Sequence, residues 1–151
     1  MSFTLSQAEQ AIIDQAISIL ESKINTAENI SSPASAAQYL RLNFAMLEHE
    51  VFAVLWLNNK HSVIDLEVMF RGTIDAAAVY PREVVKAALA KNASAAILCH
   101  NHPSGSVEPS EADKAITRRL IEALTLVDVR VIDHMVVGTE GYTSFAERGL
   151  L

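Results

Sequence analysis

Apolar residues recur at helical spacing near the start of the chain. Leu5, Ala8, Ile12, Ile13, Ala16, Ile17, Leu20 and Ile24 fall on one stripe and predict an amphipathic helix over residues 5–24. Ser6 and Glu9 have the spacing of a capping box at its start, where a hydroxyl and a carboxylate each accept from the other residue's backbone N–H. The polar stretch NTAENISSPAS, Asn25 to Ser35, interrupts the pattern and is the one candidate linker. Ser32-Pro33 then opens a second helix expected to run through Ala45, since proline at the first helical position gives up an N–H that has no intrahelical partner anyway.

From Glu50 the period shortens to two. VFAVLWL and HSVIDLEVMF, on either side of the turn-like Asn58-Asn59-Lys60, predict a β-hairpin whose second strand ends at Gly72. PREVVKAALAKN reads as a helix from Pro81 to a stop at Asn92. ASAAILC is a short unbroken apolar run, as expected of a strand buried on both faces. PSEADKAITRRLIEALTL returns to helical spacing with Ala115, Ile116, Leu120, Ala123 and Leu124 inward, and VRVIDHMVVG reads as a last strand. This order predicts an α/β fold, a mixed β-sheet flanked by helices.

Composition narrows the function classes. At 151 residues and 50% hydrophobic, the chain suits one domain with a real core. Eighteen acidic against twelve basic side chains give a formal charge of -6, which disfavours generic nucleic-acid binding. Lys114, Arg118 and Arg119 are candidate phosphate contacts, but beside inward Ile116 and Leu120 they read as a solvated helix face. One cysteine makes no internal disulfide, and no stretch reads as a signal peptide or as the ~20 apolar residues of a membrane span. A cytoplasmic protein is expected.

The stretch CHNHPSGSVEPSEAD, Cys99 to Asp113, carries the chemistry. Strand side chains alternate, so His100 and His102 point the same way, about 7 Å apart along the backbone, while Cys99 faces the other side as a small buried hydrophobe. Pro103-Ser104-Gly105-Ser106 supplies a turn that brings the next helix, and Asp113 in its first turn, back to the strand end. Ser110 and Asp113 also have capping-box spacing, so Asp113 taken alone reads as a cap rather than a ligand, and it is the pattern with the two histidines that favours ligation. Two histidines and a carboxylate make three protein ligands, the set of a catalytic rather than a structural zinc. A hydrolytic zinc further needs a carboxylate beside its water. Glu48 and Glu50 both precede VFAVLWL on the face of Phe52, Val54 and Trp56, and spacing does not choose between them. The helical H-E-x-x-H motif is rejected at His49-Glu50, because position 53 is Ala and the segment reads as strand.

A glutamate, then far downstream H-x-H, seven residues and S-x-x-D, resembles the JAMM (MPN+) metalloprotease signature, which Glu50, His100, His102, Ser110 and Asp113 reproduce. ExF before a strand, GTI, PREVVKAAL, HNHPSG, PSEAD, IT-RL, DH-VVG and SFAERGLL together resemble the bacterial RadC family over residues ~34–151, in particular its short members without a helix-hairpin-helix region. The resemblance implies an MPN/JAMM (cytidine-deaminase-like) sandwich over residues 31–151, preceded by an N-terminal helical extension, 1–30. It implies Zn2+ held by His100, His102 and Asp113, Glu50 as general acid/base, and Ser110 as donor to a developing oxyanion. The activity it implies is hydrolysis of a peptide or isopeptide bond in a protein or peptide substrate, with no membrane partner. The alternative is a non-catalytic or DNA-repair-associated module with the same metal site. His134, in Asp133-His134, reads either as a support for the metal ligands or as a packed polar group in an apolar strand, with packing favoured.

Overall fold

The computed structural model describes residues 4–25, 32–72 and 79–151. Along them run α1 (Gln7–Asn25), α2 (Pro33–Phe44), β1 (Val51–Leu57), β2 (Val63–Arg71), α3 (Pro81–Ala90), β3 (Ala95–Asn101), α4 (Glu111–Thr125), β4 (Arg130–Gly138) and β5 (Gly141–Ser144). Most of the predicted linker, the Ile24 side chain and Thr73-Ile74 of the GTI motif lie outside the described residues.

Every residue of β1 and of β3 is buried, which places both strands inside a sheet covered on its two faces. The sheet order is β2-β1-β3-β4-β5. Only β3 and β4 are parallel, joined by α4; the other neighbours are antiparallel, so the sheet is mixed as expected. Residue parity sorts the core. Val51, Ala53, Leu55 and Leu57 of β1 meet Ala95, Ile97 and Cys99 of β3 beneath α2, with Ile17 and Leu20 of α1 packed alongside. Phe52, Val54 and Trp56 meet Ala96 and Leu98 on the opposite face, beneath Val84 and Ala88 of α3 and Ile116, Leu120 and Leu124 of α4. Each fully buried Leu or Val side chain contributes roughly 1.5–3 kcal/mol relative to exposure, so both layers are firmly held.

The helix termini follow the sequence signals. Ser6 and Glu9 exchange both capping-box bonds. Pro33 and Pro81 each stand in the first turn of their helix. Asn92 stops α3 in the left-handed region, φ 52°, where Asn92 N–H donates to Leu89 and Ala93 N–H to Ala88, a Schellman ending.

Three expectations change. Ala115 is exposed and Thr117 takes its inward place, because the buried stripe of α4 runs Asp113, Ile116, Thr117, Leu120, Leu124. His61 lies in the hairpin loop at φ 61° rather than in β2. β5 is additional, a four-residue strand too short to show a period. The α1 stripe is only half buried, and Ile12 is 66% exposed. No helix among the described residues is long and apolar enough to cross a membrane.

Candidate metal centre

Antiparallel pairing of β1 with β3 sets Phe52 opposite His100. Continuing that register outward brings Glu50 towards His102, and its Oε1 lies 3.9 Å from His102 Nε2. His100 is wholly buried, whereas the His102 and Glu50 side chains keep 16% and 17% of their surface. The cluster is therefore closed on the His100 side and reaches solvent on the Glu50 side. Glu48, the other candidate, is exposed and lines a cleft with Leu5, Ile13 and Met46 between α1 and α2.

His100 Nε2 is 3.0 Å from His102 Nε2 and 3.2 Å from Asp113 Oδ2, and His102 Nε2 is 3.4 Å from that same oxygen. A tetrahedral zinc with bonds of 2.0–2.2 Å needs donor atoms about 3.3–3.6 Å apart, so a small opening around an ion, by a few tenths of an ångström, satisfies all three. His102 Nδ1 lies 3.0 Å from the Ser106 carbonyl oxygen, which can only accept; Nδ1 therefore carries the proton and Nε2 turns a lone pair to the cluster. Three lone-pair atoms this close in a buried site repel one another unless a proton or a cation lies among them. The donor set of two imidazoles and one carboxylate suits zinc.

The charges agree with the geometry. Burial works against ionisation of Asp113, but its contacts with the His100 and His102 imidazoles and the hydrogen bond from the Ser110 backbone N–H outweigh it and hold the carboxyl well below the usual carboxylate range. The Asp113 carboxylate in turn raises the His102 pKa above 6.5, against the opposing effect of burial, with Glu50 adding a smaller push. Burial, reinforced by His100, keeps His134 well below 6.5. Burial pushes the Cys99 thiol up on the far side of the sheet, consistent with its reading as core.

Asp113 caps and converges at once. Its backbone N–H donates to Ser110 Oγ at 3.0 Å, and its Oδ2 accepts the Ser110 N–H at 2.8 Å while facing both imidazoles. The two readings of Asp113 in the sequence are thus compatible: the capping box orients the carboxylate. Ser110 Oγ accepts in this bond, so its hydroxyl proton is not spent there. The turn that delivers α4 requires Gly105, at φ +90°, where a Cβ would also stand 2.9 Å from Thr139 Oγ1.

Asn101, between the two histidines, was silent in the sequence. Its side chain takes the opposite face of β3, where Oδ1 accepts from Val51 N–H at 2.8 Å and Nδ2 donates to the His49 carbonyl at 3.0 Å. One buried amide thereby grips the chain on both sides of Glu50. An asparagine between two histidines at the end of an apolar run was the only signal, and it does not name these partners. His134 also belongs here, since its Nε2 is 2.7 Å from His100 Nδ1.

The family model described as a RadC-like JAB domain matches residues 30–150. The chain belongs to the RadC family. A UPF0758 protein of Vibrio cholerae is 52% identical over 151 residues, covering 99% of this chain and 95% of that relative. UPF0758 proteins of Leptothrix cholodnii and Alcanivorax borkumensis are 53% and 58% identical over 142 and 120 residues, and the matches span 64% and 54% of their lengths. This RadC-family chain thus corresponds to nearly all of the first relative and to less than two thirds of the other two.

Proposed function

We propose that this chain is a zinc-dependent hydrolase of the JAMM type that cleaves a peptide or isopeptide bond in a protein or peptide substrate. The observation that carries the reading is the convergence of His100 Nε2, His102 Nε2 and Asp113 Oδ2 on one point, with a glutamate on the solvent side. Membership of the RadC family supports it. Zinc held by His100, His102 and Asp113 would supply Lewis acidity, polarising a carbonyl and lowering the pKa of water towards ~7.

The chain's own residues supply the rest. Glu50, at the wet rim, takes a proton from the attacking water and returns it to the leaving amine. Asn101 keeps the Glu50 backbone in place through its two bonds. Ser110 donates its hydroxyl proton to the oxygen on which negative charge develops. His100 and Asp113 stay dry, which strengthens every electrostatic contact they make. A cytoplasmic location is part of the same proposal, in keeping with a chain whose one cysteine leaves its fold without an internal disulfide.

Glu50→Gln tests the roles. The amide preserves shape and removes the base, so zinc content should stay at the wild-type value. Hydrolysis of a fluorogenic peptide library and of a lysine-linked isopeptide should fall by ~10²–10⁴. Loss of zinc from the variant would make Glu50 a ligand, and an unchanged rate would remove it from the chemistry.

A further inference from the structure

The DH-VVG and SFAERGLL motifs take no part in the reaction above, yet their side chains meet behind His100. His134 is wholly buried, with Nε2 2.7 Å from His100 Nδ1 and Nδ1 2.5 Å from Thr117 Oγ1. Thr117 Oγ1 is also 2.6 Å from the Asp113 carbonyl oxygen, one turn earlier in α4. The carbonyl can only accept, so the single hydroxyl proton of Thr117 lies towards Asp113. Thr117 Oγ1 must then accept from His134, which puts the His134 proton on Nδ1. A ring buried among apolar groups stays neutral, so His134 Nε2 is bare and accepts from His100 Nδ1–H. His100 Nε2 is thereby left with a lone pair aimed at His102 and Asp113.

We infer that His134, oriented by Thr117, is a positioning residue that selects the zinc-binding tautomer of His100. The inference rests on the metal-centre reading above. The relay begins at the Asp113 carbonyl and ends opposite the Asp113 carboxylate, so one residue of α4 anchors both ends.

The remaining motif residues hold the ring. Asp133 Oδ1 accepts from the backbone N–H groups of His134 and Ala146, at 2.7 and 2.9 Å, and Oδ2 accepts from Ser144 Oγ at 2.5 Å. Phe145 N–H donates to the His134 carbonyl at 3.0 Å. The Phe145 ring stacks on His134, centroids 4.6 Å apart at 21°, and Phe52 meets it edge-on at 5.7 Å and 78°. Clamped on both sides, the imidazole keeps its nitrogens pointed at Thr117 and His100. The positions that looked like packing in the sequence do pack, and the packing fixes a proton.

The test combines tautomer and affinity. In metal-free protein with 15N-labelled imidazoles, long-range 1H–15N correlation at neutral pH should show His100 and His134 both protonated on Nδ1. Thr117→Val keeps the shape and removes the acceptor, so the His134 proton should move to Nε2 and drive the His100 proton to Nε2. Zinc affinity, from competition with a chromogenic chelator, should fall about 10–100-fold. Thr117→Ser should restore both the tautomers and the affinity. His134→Phe, which preserves the ring stack, should weaken zinc similarly, and His134→Gln, with an amide oxygen for His100, should recover part of the loss. His100 protonated on Nε2 in the wild type would overturn the inference without any variant. Affinity loss with unchanged tautomers, or unchanged affinity in both Thr117→Val and His134→Phe, would overturn it as well. A wild-type protein that takes up no zinc would instead sink the metal-centre reading itself.

Discussion

Two helices of this protein begin with the same device and end up doing different things. At α1, Ser6 N–H donates to Glu9 Oε2 at 2.8 Å and Glu9 N–H to Ser6 Oγ at 3.2 Å; at α4, Ser110 N–H donates to Asp113 Oδ2 at 2.8 Å and Asp113 N–H to Ser110 Oγ at 3.0 Å. The bonds match almost atom for atom. The Glu9 carboxylate faces solvent, whereas Asp113 is 1% exposed and has two imidazole nitrogens at 3.2 and 3.4 Å. A capping box satisfies the helix end in either place. What lies beyond the carboxylate decides whether it is also a ligand, and that is set by the end of β3.

The largest effect should come from separating the two roles of Asp113. Asp113→Asn leaves an acceptor for the Ser110 N–H and removes the charge, so α4 should stay capped. Zinc affinity should fall by more than the ~10–100-fold typical of losing a supporting contact, because a ligand itself is lost. The same change at α1, Glu9→Gln, should leave zinc affinity at the wild-type value. Chelator competition on the two variants reads both, and equal effects would erase the distinction drawn here.

A smaller effect follows from pH. Zinc and a proton compete for His102 Nε2, and the Asp113 carboxylate raises the His102 pKa above 6.5. Zinc affinity should therefore weaken as pH falls through that raised pKa, starting above 6.5, by up to about tenfold per unit for the one proton displaced. Asp113 is held too low to add to the slope in this range. In Asp113→Asn the chief cause of the His102 shift is gone, so the onset should move to lower pH. An onset that stays put would mean another group is titrating.

The smallest effect belongs to the plain cap. Ser6→Ala should cost about 1 kcal/mol in urea unfolding and leave zinc binding untouched. Any change in zinc affinity would show that α1 communicates with the centre.

Much of this was legible in the chain. Alternation or an unbroken apolar run gave β1, β2, β3 and β4, because those strands are long or buried on both faces and each stands out from the polar turns around it. His100, His102 and Asp113 were legible as a group because parity and a turn bring them together over a short stretch of chain. β5 was not, being four residues in a glycine-bounded hairpin. The inward place of Thr117 was hidden by its polarity, since its burial depends on His134, seventeen residues away. Asn101 was hidden for a similar reason: its partners are Val51 at the start of β1 and His49 in the connection before it, and no periodicity reports a side chain bonded to distant backbone. Glu50 was separable from Glu48 only through a family resemblance until the β1–β3 register placed it beside His102.

Two histidines and one carboxylate of this chain are proposed to bind a single zinc. X-ray absorption on protein loaded with one equivalent of zinc tests it most directly. The zinc should show two imidazole nitrogens and the rest oxygen at about 2.0–2.2 Å, with the imidazole signal halved in His102→Ala. A sulfur neighbour, an imidazole count unchanged by His102→Ala, or failure of the protein to retain zinc against a weak chelator would contradict it.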